Sequence, residues 1–474
     1  MSRIKVVNFD LDTLPLQARM PFRYGIVTMT RVTHLFFRLS AIIDGTPVTG
    51  ISADLLAVKW FTKDPNRPVE EETAEMLRVI EHAGTLAKTI AAESVFDFWL
   101  QLYEVQEKWA QNERLPSLLA HFGTSLVERG VIDAFCRIKN TPFHVALEEN
   151  AFQIRLSSLH PELTRQPRDY LPSSPLQRVI VRHTVGLADP LTESEIPAVE
   201  RLEDGLPQSL EASVRANGLR HFKIKVAGDP VRDLERLRSV TRVLGETAPQ
   251  EFAWSLDGNE QFETIEAFRE FWQSIQGDAG LRPLLNRLLF VEQPLHRKVA
   301  LSDEVAAQFS RWPDRPAMII DESDATLGSL RRALDVGYAG TSHKNCKGVF
   351  KSIANRCLLR QRAANPQAPP ALMSGEDLCN IGPVALFQDL AVAAALGIQS
   401  VERNGHHYFR GLSMFPPAIQ KAVSDHHADL YKLMPAGWPS LRIEHGEISL
   451  ASVNAAPFGV ARSLHANLFQ ADCA

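Results

Sequence analysis

Cysteine is scarce in this chain, and its scarcity argues against two kinds of structure. The 474 residues include five cysteines and no CxxC pair, so neither a disulfide framework nor a zinc site is indicated. They are Cys136, Cys346, Cys357, Cys379 and Cys473. Because thiols stay reduced inside cells, we expect a cytoplasmic protein.

Long apolar runs and an excess of charge are also missing. No run approaches the ~18 apolar residues of a membrane span. Residues 1–5 lead into an alternating pattern and lack the continuous apolar core of a signal peptide. The net charge of -5 and the pI near 6.3 give no electrostatic reason for binding to nucleic acid or anionic membranes. We therefore expect neither partner.

The composition is that of a globular protein large enough for two or three domains, with 45% hydrophobic and 23% charged residues. Near the N-terminus, 31–39 is β-rich, and Asp44-Gly45 suits a hairpin turn. Apolar residues take helical spacing over 70–110 and again over 126–138. The sequence therefore predicts an α+β domain over residues 1–145.

The C-terminal two-thirds contains short strand-like runs that each end in a charged residue. The runs are 221–225, 252–257, 288–292, 317–321 and 340–344, and they end at Lys225, Asp257, Glu292, Asp321 and Lys344. Intervals of roughly 30 residues suit one strand and one returning helix. Parallel strands that close into a barrel bring these ends to a single face, where catalytic groups gather.

Three more runs, 178–185, 371–376 and 398–402, bring the number of predicted strands to eight. Helical patterns lie between them, at 229–244, 264–275, 327–336 and 349–363. The sequence therefore predicts a (β/α)8, TIM-like barrel over residues 146–412, in which 150–175, rich in Pro, Ser and Arg, form the connection before the first strand.

Three of the strand ends carry carboxylates: Asp257, Glu292 and Asp321. Mg²⁺ prefers hard oxygen ligands, and carboxylates from three neighbouring strand ends can supply them while leaving positions for substrate. Any one of these residues alone would more often be a helix cap or a loop charge. Their common position in successive units favours a metal site.

Lysines stand on either side of these carboxylates. In Lys223-Ile224-Lys225, the alternation of a strand places both ammonium groups on one side. Two crowded lysines disfavour each other's proton, so we expect a lowered pKa and a general base. An isolated Lys-x-Lys motif is more often part of a solvent-exposed edge strand. Lys344, beyond the metal ligands, is a candidate second base, although Lys347 close by also allows a basic surface stretch.

Other polar residues at this end are less specific. Glu376 and Glu402 end the seventh and eighth strands and could orient Lys344, bind substrate or hydrogen-bond loops. His406 and His407 follow the eighth strand. Neighbouring residues point apart, so a metal role for this pair is not expected, whereas a substrate contact stays open.

Together these motifs resemble the mandelate racemase/muconate lactonizing enzyme group of the enolase superfamily. The matching residues are Lys223-x-Lys225, Asp257-Gly-Asn259, Glu292-Gln-Pro294, Asp321-Glu-Ser323 and Lys344. The resemblance covers almost the whole chain. It implies that a base removes a proton α to a carboxylate while Mg²⁺, or Mn²⁺ as an alternative, stabilises the enediolate. It also implies that residues 1–145 cap the barrel and that residues 413–474 complete the cap.

The resemblance assigns roles to individual residues. Lys225 and Lys344 are the expected acid/base pair, with Lys223 contacting the enediolate. Expected substrate or supporting contacts are Asn259, Glu322, Glu376, Tyr24 and Lys59. Either Asp321 or Glu322 could be the third metal ligand, and we choose Asp321.

Strand six offers Lys344 and strand seven offers no histidine, which favours the lysine-lysine subgroup of racemases, epimerases and cycloisomerases. Two departures stand out. Lys347-Gly348 replaces the usual double glycine, and Val401-Glu402-Arg403-Asn404 replaces the Asp-x-Asp of dipeptide epimerases.

Two alternatives remain beside a racemase, epimerase or cycloisomerase. An acid-sugar dehydratase would use the same enediolate, and a non-catalytic barrel would have lost part of the site. We expect a small-molecule carboxylate as substrate and a homo-oligomeric assembly.

Overall fold

The N-terminal part of the chain is an antiparallel sheet with the strand order β3-β2-β1-β4. The computed structural model describes residues 3–365 and 367–464. The strands are β1 (Ile4–Tyr24), β2 (Val27–Ile43), β3 (Thr46–Leu55) and β4 (Ala91–Ala92). Asp44 and Gly45 have φ angles of 52° and 80°, as a two-residue hairpin turn requires. The predicted hairpin is therefore confirmed.

Three long helices accompany this sheet: α1 (Val69–Ala87), α2 (Val95–Glu113) and α3 (Ser117–Ile138). The helical pattern predicted over 70–110 is interrupted by β4, and α2 starts where the Ser94 side chain accepts a hydrogen bond from the Asp97 amide. Helix α3 is buried almost throughout and approaches β3 closely, because a Cβ on Gly50 would lie 2.0 Å from the Gly130 carbonyl oxygen.

Eight parallel strands form the predicted barrel, which closes where the last strand pairs with the first. They are β5 (Arg178–Val185), β6 (His221–Lys225), β7 (Ala253–Asp257), β8 (Leu288–Glu292), β9 (Met318–Ile320), β10 (Gly340–His343), β11 (Leu372–Gly375) and β12 (Ser400–Glu402). The strands lie where the sequence predicts them, because buried parallel strands are marked by short apolar runs that end in turns.

Helices return the chain between the strands and continue beyond them. They are α4 (Phe143–Glu148), α5 (Leu210–Asn217), α6 (Pro230–Thr247), α7 (Ile265–Gly277), α8 (Arg282–Leu285), α9 (Asp303–Ser310), α10 (Ser329–Val336), α11 (Val349–Ala363), α12 (Ala385–Leu396), α13 (Gly405–Tyr408), α14 (Pro417–His426) and α15 (Ala451–Ala455). Helix α6 shows the local cause: Asp229 caps it, Pro230 begins it, and Leu237 and Val240 are buried.

Strand register brings the charged strand ends to one level. Lys225 pairs with Asp257, and Asp257 pairs with Glu292. Asp321 follows β9 directly, and Lys344 follows β10. The C-terminal mouth of the barrel therefore collects the charged residues that the sequence singled out.

The chain after residue 412 reaches both ends of the barrel. It contains β13 (Tyr431–Leu433), β14 (Pro439–Leu441) and β15 (Glu447–Ser449). Phe415 lies against His34 and Phe36 of the N-terminal sheet, with ring centroids 6.4 and 6.3 Å away. In contrast, β15 pairs with the first residues of β5, at the rim opposite the charged mouth. The domain limits 1–145, 146–412 and 413–474 stay a prediction.

Four cysteines, Cys136, Cys346, Cys357 and Cys379, are buried and free, and Cys473 lies outside the described residues. Within the described part of the chain, no helix combines the length and the apolar character that crossing a membrane requires.

Candidate active site

The Lys223 ammonium lies among four carboxylates in the interior of the barrel. Its Nζ atom is 3.1 Å from Asp257 Oδ2 and 2.9 Å from Glu292 Oε1. It also donates to Glu376 Oε2 at 2.8 Å and to Glu402 Oε2 at 3.0 Å. Lys223 therefore links the ends of β7, β8, β11 and β12.

Lys225 faces the same interior, as the predicted alternation requires, and reaches a cavity beneath the N-terminal sheet. Its Nζ atom donates to Asp257 Oδ2 at 2.8 Å and to Asn259 Oδ1 at 2.7 Å. Asn259 also lines the cavity. Ile224, between the two lysines, is buried as well.

Lys344 lines the same cavity from the other side. Its Nζ atom donates to Asp321 Oδ2 at 2.7 Å and lies 4.5 Å from the centre of the Trp60 ring, which adds a cation–π contact. Strands β6 and β10 are four positions apart in the closed ring of eight. Lys225 and Lys344 therefore approach the cavity from opposite sides.

Lys347 is a buried member of this cluster and not part of a surface stretch. It is 3% exposed, and its Nζ atom donates to Asp321 Oδ1 at 3.0 Å and to the Ser342 carbonyl oxygen at 2.8 Å. The Asp321 carboxylate thus accepts one lysine on each oxygen. The sequence interpretation missed this contact because three lysines within eight residues, Lys344, Lys347 and Lys351, usually mark a solvated surface.

Arg182 is a second residue that sequence reasoning missed. It is fully buried on β5, pairs with the Glu376 carboxylate and donates to the Ser374 hydroxyl at 2.8 Å. A charged side chain in the middle of an apolar strand was the available signal. Glu376, held by Arg182 and Lys223, does not line the cavity, whereas Glu402 does.

The lysine pKa values differ from the sequence expectation. Burial by itself would lower the pKa of Lys223, but Asp257, Glu292 and the other carboxylates outweigh it and hold that pKa well above its usual value. In Lys344, burial is likewise outweighed, chiefly by Asp321, so its pKa is raised. The predicted lowering by a crowded lysine is therefore wrong for Lys223, because its nearest charged neighbours are carboxylates.

The carboxylates suit a divalent metal ion by their chemistry. Asp257, Glu292 and Asp321 are buried oxygen donors, the kind that Mg²⁺ prefers. Burial and nearby carboxylates raise the pKa of Glu292 well above its usual value, so added positive charge would be favourable there. In the described part of the chain, lysines contact these oxygens, and no three His, Cys, Asp or Glu side chains lie close enough together to bind one metal ion. The donor set fits Mg²⁺, and its convergence on one ion stays a prediction.

The N-terminal sheet and its loops cover the cavity. Tyr24 and Trp60 line it on this side, and the Tyr24 hydroxyl donates to the Val58 carbonyl oxygen at 3.2 Å. The segments around Tyr24 and Trp60 therefore lie at the C-terminal mouth of the barrel, where the sequence interpretation expected a cap.

Lys59 does not take its predicted place in the cavity. Its ammonium group turns away, lies 3.2 Å from Glu72 Oε1 and donates to the carbonyl oxygens of Asp64, at 2.8 Å, and Arg67. The backbone of Lys59 has a left-handed conformation, with a φ of 63°. This conformation accompanies the outward turn of the Lys59 side chain. A sequence pattern does not show that conformation.

The loop that carries Trp60 is clamped to the barrel by Arg297. This guanidinium forms a two-bond pair with Glu260, at 2.8 and 2.7 Å, and donates to the carbonyl oxygens of Trp60 and Phe61 at 2.8 and 2.7 Å. Lys63 adds a bond to the Asn259 carbonyl oxygen at 2.5 Å. The clamp holds Trp60 over Lys344.

Glu322, which follows Asp321 directly, is also buried. Burial, followed by the charges of Asp321 and Glu260, raises the pKa of Glu322 to about 8. Asp321, in contrast, faces Lys344 and Lys347. This difference favours Asp321 over Glu322 as the inward-facing carboxylate.

The two neighbouring histidines pack against β5 and do not line the cavity. The His183 ring lies 5.5 Å from that of His406 and 4.8 Å from that of His407. Burial lowers the pKa of all three below its usual value. This pair therefore lies outside the lining of the cavity, and the substrate contact that the sequence left open stays untested.

We compared the chain with known protein families, protein sequences and solved structures. No protein-family model and no curated protein sequence matches the chain. Solved structures do match it, including a muconate lactonizing enzyme from Pseudomonas fluorescens complexed with muconolactone. That likeness has 13% identity and a TM-score of 0.60 and covers 98% of each chain.

Two further structures show the same likeness. An enolase from Bradyrhizobium complexed with magnesium and mandelic acid matches with 13% identity and a TM-score of 0.58, over 98% of this chain and 99% of the other. An N-succinyl Arg/Lys racemase from Bacillus cereus matches with 14% identity and a TM-score of 0.57, over 95% and 97%. At these identities the likeness establishes the fold alone, a TIM-like barrel with an N-terminal α+β domain as in these three structures.

Proposed function

We propose that this protein is a Mg²⁺-dependent enzyme that removes the proton α to a carboxylate and racemises or epimerises its substrate. The observation that supports this best is the position of Lys225 and Lys344 on opposite sides of one cavity. A planar enediolate between them would present one face to each ammonium or amine group. Two-sided access is what inversion of a carbon centre requires.

Each lysine has a distinct part in the proposed reaction. Lys225 takes the α-proton from one face, and Lys344 delivers a proton to the other face; the opposite enantiomer reverses these roles. Lys223, held by four carboxylates, places a permanent positive charge below the developing enediolate. The proposed reaction thus uses two lysines as its acid and base, as the lysine-lysine subgroup does.

The remaining residues hold the reacting groups in place. Asp257, Glu292 and Asp321 would hold Mg²⁺, with Mn²⁺ as an alternative, and the bound ion supplies positive charge that makes the α-proton acidic enough for a lysine. Tyr24 and Trp60 cover the cavity and exclude water, which strengthens every electrostatic contact within it. The small-molecule carboxylate substrate, the homo-oligomer and the cytoplasmic location stay predictions.

The test is α-proton exchange in D₂O with Mg²⁺, followed by proton NMR over a panel of carboxylic acids. We expect exchange by the wild-type protein with at least one acid. Lys225→Met should abolish exchange from one stereochemical face, and Lys344→Met from the other. Lys421→Met is the matched control, because the Lys421 side chain is 75% exposed on α14 and should leave exchange unchanged.

Three other outcomes decide between the remaining functions. If only Lys344→Met were silent, a one-base cycloisomerisation would replace racemisation. Loss of a β-hydroxyl from an acid sugar would indicate a dehydratase, although β11 ends in Ser374-Gly375, followed by Glu376, without a histidine to act as the acid. No exchange with any acid, in a folded protein that binds Mg²⁺, would refute the proposal in favour of a non-catalytic barrel.

A further inference from the structure

The cavity that Lys225 and Lys344 share has a polar end and an apolar end. The polar end is formed by the barrel lysines and the carboxylates bound to them. The apolar end is formed chiefly by Phe22, Met29, Val32 and Leu378. A bound carboxylate must lie near the lysines, so the rest of the molecule would face the apolar side chains.

We propose that the substrate is a monocarboxylate whose side chain is uncharged and apolar, such as an alkyl or phenyl group. This inference rests on the proposed function, because it assumes that the carboxylate lies between the lysines.

The charged residues around the cavity support this inference. Of the residues that line it, the acidic ones away from the metal-ligand candidates are Asp377 and Glu402. Arg403 donates to Asp377 at 2.8 Å, and Glu402 accepts from Lys223 and from the Thr184 hydroxyl at 2.6 Å. Neither carboxylate is left to pair with a substrate ammonium group.

The cap side offers no cation for a second substrate carboxylate either. Among the described residues that line the cavity, those of the N-terminal sheet and its loops are uncharged. The nearest lysines are occupied: Lys59 contacts Glu72 at 3.2 Å, and Lys63 contacts Glu260 at 3.5 Å. A dicarboxylate would therefore bury its second charge against apolar side chains, which is costly without a partner.

Hydrogen-bonding groups at the apolar end are also engaged. The Tyr24 hydroxyl donates to Val58, and the Asn404 side-chain amide donates to Glu402 at 2.8 Å. Cys379, which also lines the cavity, stays a neutral thiol because burial raises its pKa. The hydroxyl groups of a sugar acid would lose their hydrogen bonds to water at the apolar end and would find few partners in the protein. A site favours polar substrates only where it supplies hydrogen bonds to their polar groups.

The experiment compares pairs of acids that match in size and differ in charge. N-acetylleucine is compared with N-acetylaspartate, and N-acetylnorleucine with N-acetyllysine, both in the exchange assay and by calorimetric binding to the Mg²⁺-loaded protein. We expect each apolar acid to bind and exchange at least roughly 100-fold more efficiently than its charged partner, as burial of an unpaired charge predicts.

A variant places charge in the apolar end. Val32→Lys should lower exchange of the apolar acids and raise that of N-acetylaspartate, because the new ammonium can pair with the second carboxylate. Val32 is only partly buried on β2, so the substitution is compatible with folding, and circular dichroism checks this. Thr28→Lys is the matched control, since Thr28 is an exposed residue of the same strand.

The outcomes separate this inference from the proposed function. Exchange confined to the charged acids would overturn the inference and leave proton abstraction standing. Binding of the apolar acids without exchange would support the inference and overturn the proposed reaction. If the apolar acids neither bind nor exchange, the inference is wrong.

Discussion

Replacing Arg297 tests whether the clamp holds the Trp60 loop over the site. In Arg297→Met the buried Glu260 carboxylate loses both bonds at 2.7 and 2.8 Å, and the Trp60 and Phe61 carbonyl oxygens lose their donor. Breaking a buried ion pair costs roughly 3–5 kcal/mol. Lys63 remains 3.5 Å from Glu260, so we expect the lower value, about 3 kcal/mol.

This energy should favour local opening of the loop before global unfolding, because the clamp joins a loop to the barrel and not two core elements. About 3 kcal/mol raises the open population on the order of 100-fold. Trypsin reports that population, since the loop carries Lys59 and Lys63. The rate of cleavage in the loop should rise by that factor at low protease concentration.

The control for this variant is Arg238→Met. Arg238 pairs with Asp278 at 2.7 Å, but its side chain is 52% exposed, and such surface pairs contribute only about 0–1 kcal/mol. The double variant Arg297→Met/Glu260→Leu should be cleaved more slowly than Arg297→Met, because no buried carboxylate is left unpaired. Equal cleavage rates in the loop for Arg297→Met and Arg238→Met would refute the clamp.

Three further predictions concern pH, packing and metal. Burial lowers the pKa of His34 to about 3, so as the pH falls below about 6.5 only the unfolded chain takes up a proton at this histidine. The folded protein therefore loses about 2 kcal/mol of stability by pH 5 through His34. Between pH 7 and pH 5, the free energy of unfolding in urea should fall by about 2 kcal/mol less in His34→Gln than in the wild type. Gly258→Ala should lower the melting temperature, because the new Cβ would lie 2.5 Å from Pro294 Cα. Gly245→Ala in α6, where the new Cβ would meet no atom within 4 Å, should stabilise the protein by about 0.5–1 kcal/mol and raise the melting temperature. Mg²⁺ should raise the melting temperature of the wild type but not of Glu292→Gln, and an equal rise in both proteins would argue against Glu292 as a ligand.

Several features of the fold follow from local patterns in the sequence. Lys223 and Lys225 share one face because successive residues of a strand alternate. The regular recurrence of apolar runs with charged ends predicts the barrel and the gathering of Asp257, Glu292 and Asp321 at its mouth. Helix α11 begins and ends where its sequence pattern predicts. In each case the controlling interactions lie within one strand, one helix or one repeated unit.

Tertiary structure alone decided which charges pair. Lys347 is buried on Asp321 and Arg182 on Glu376, although the sequence leaves a surface position open for the first and shows nothing that joins the second pair. Lys59 turns to Glu72 and away from the cavity. An ion pair between distant residues depends on distances and burial that exist only after the strands have closed into a barrel, and the same carboxylates that surround Lys223 raise its pKa where the local sequence predicts a lower one.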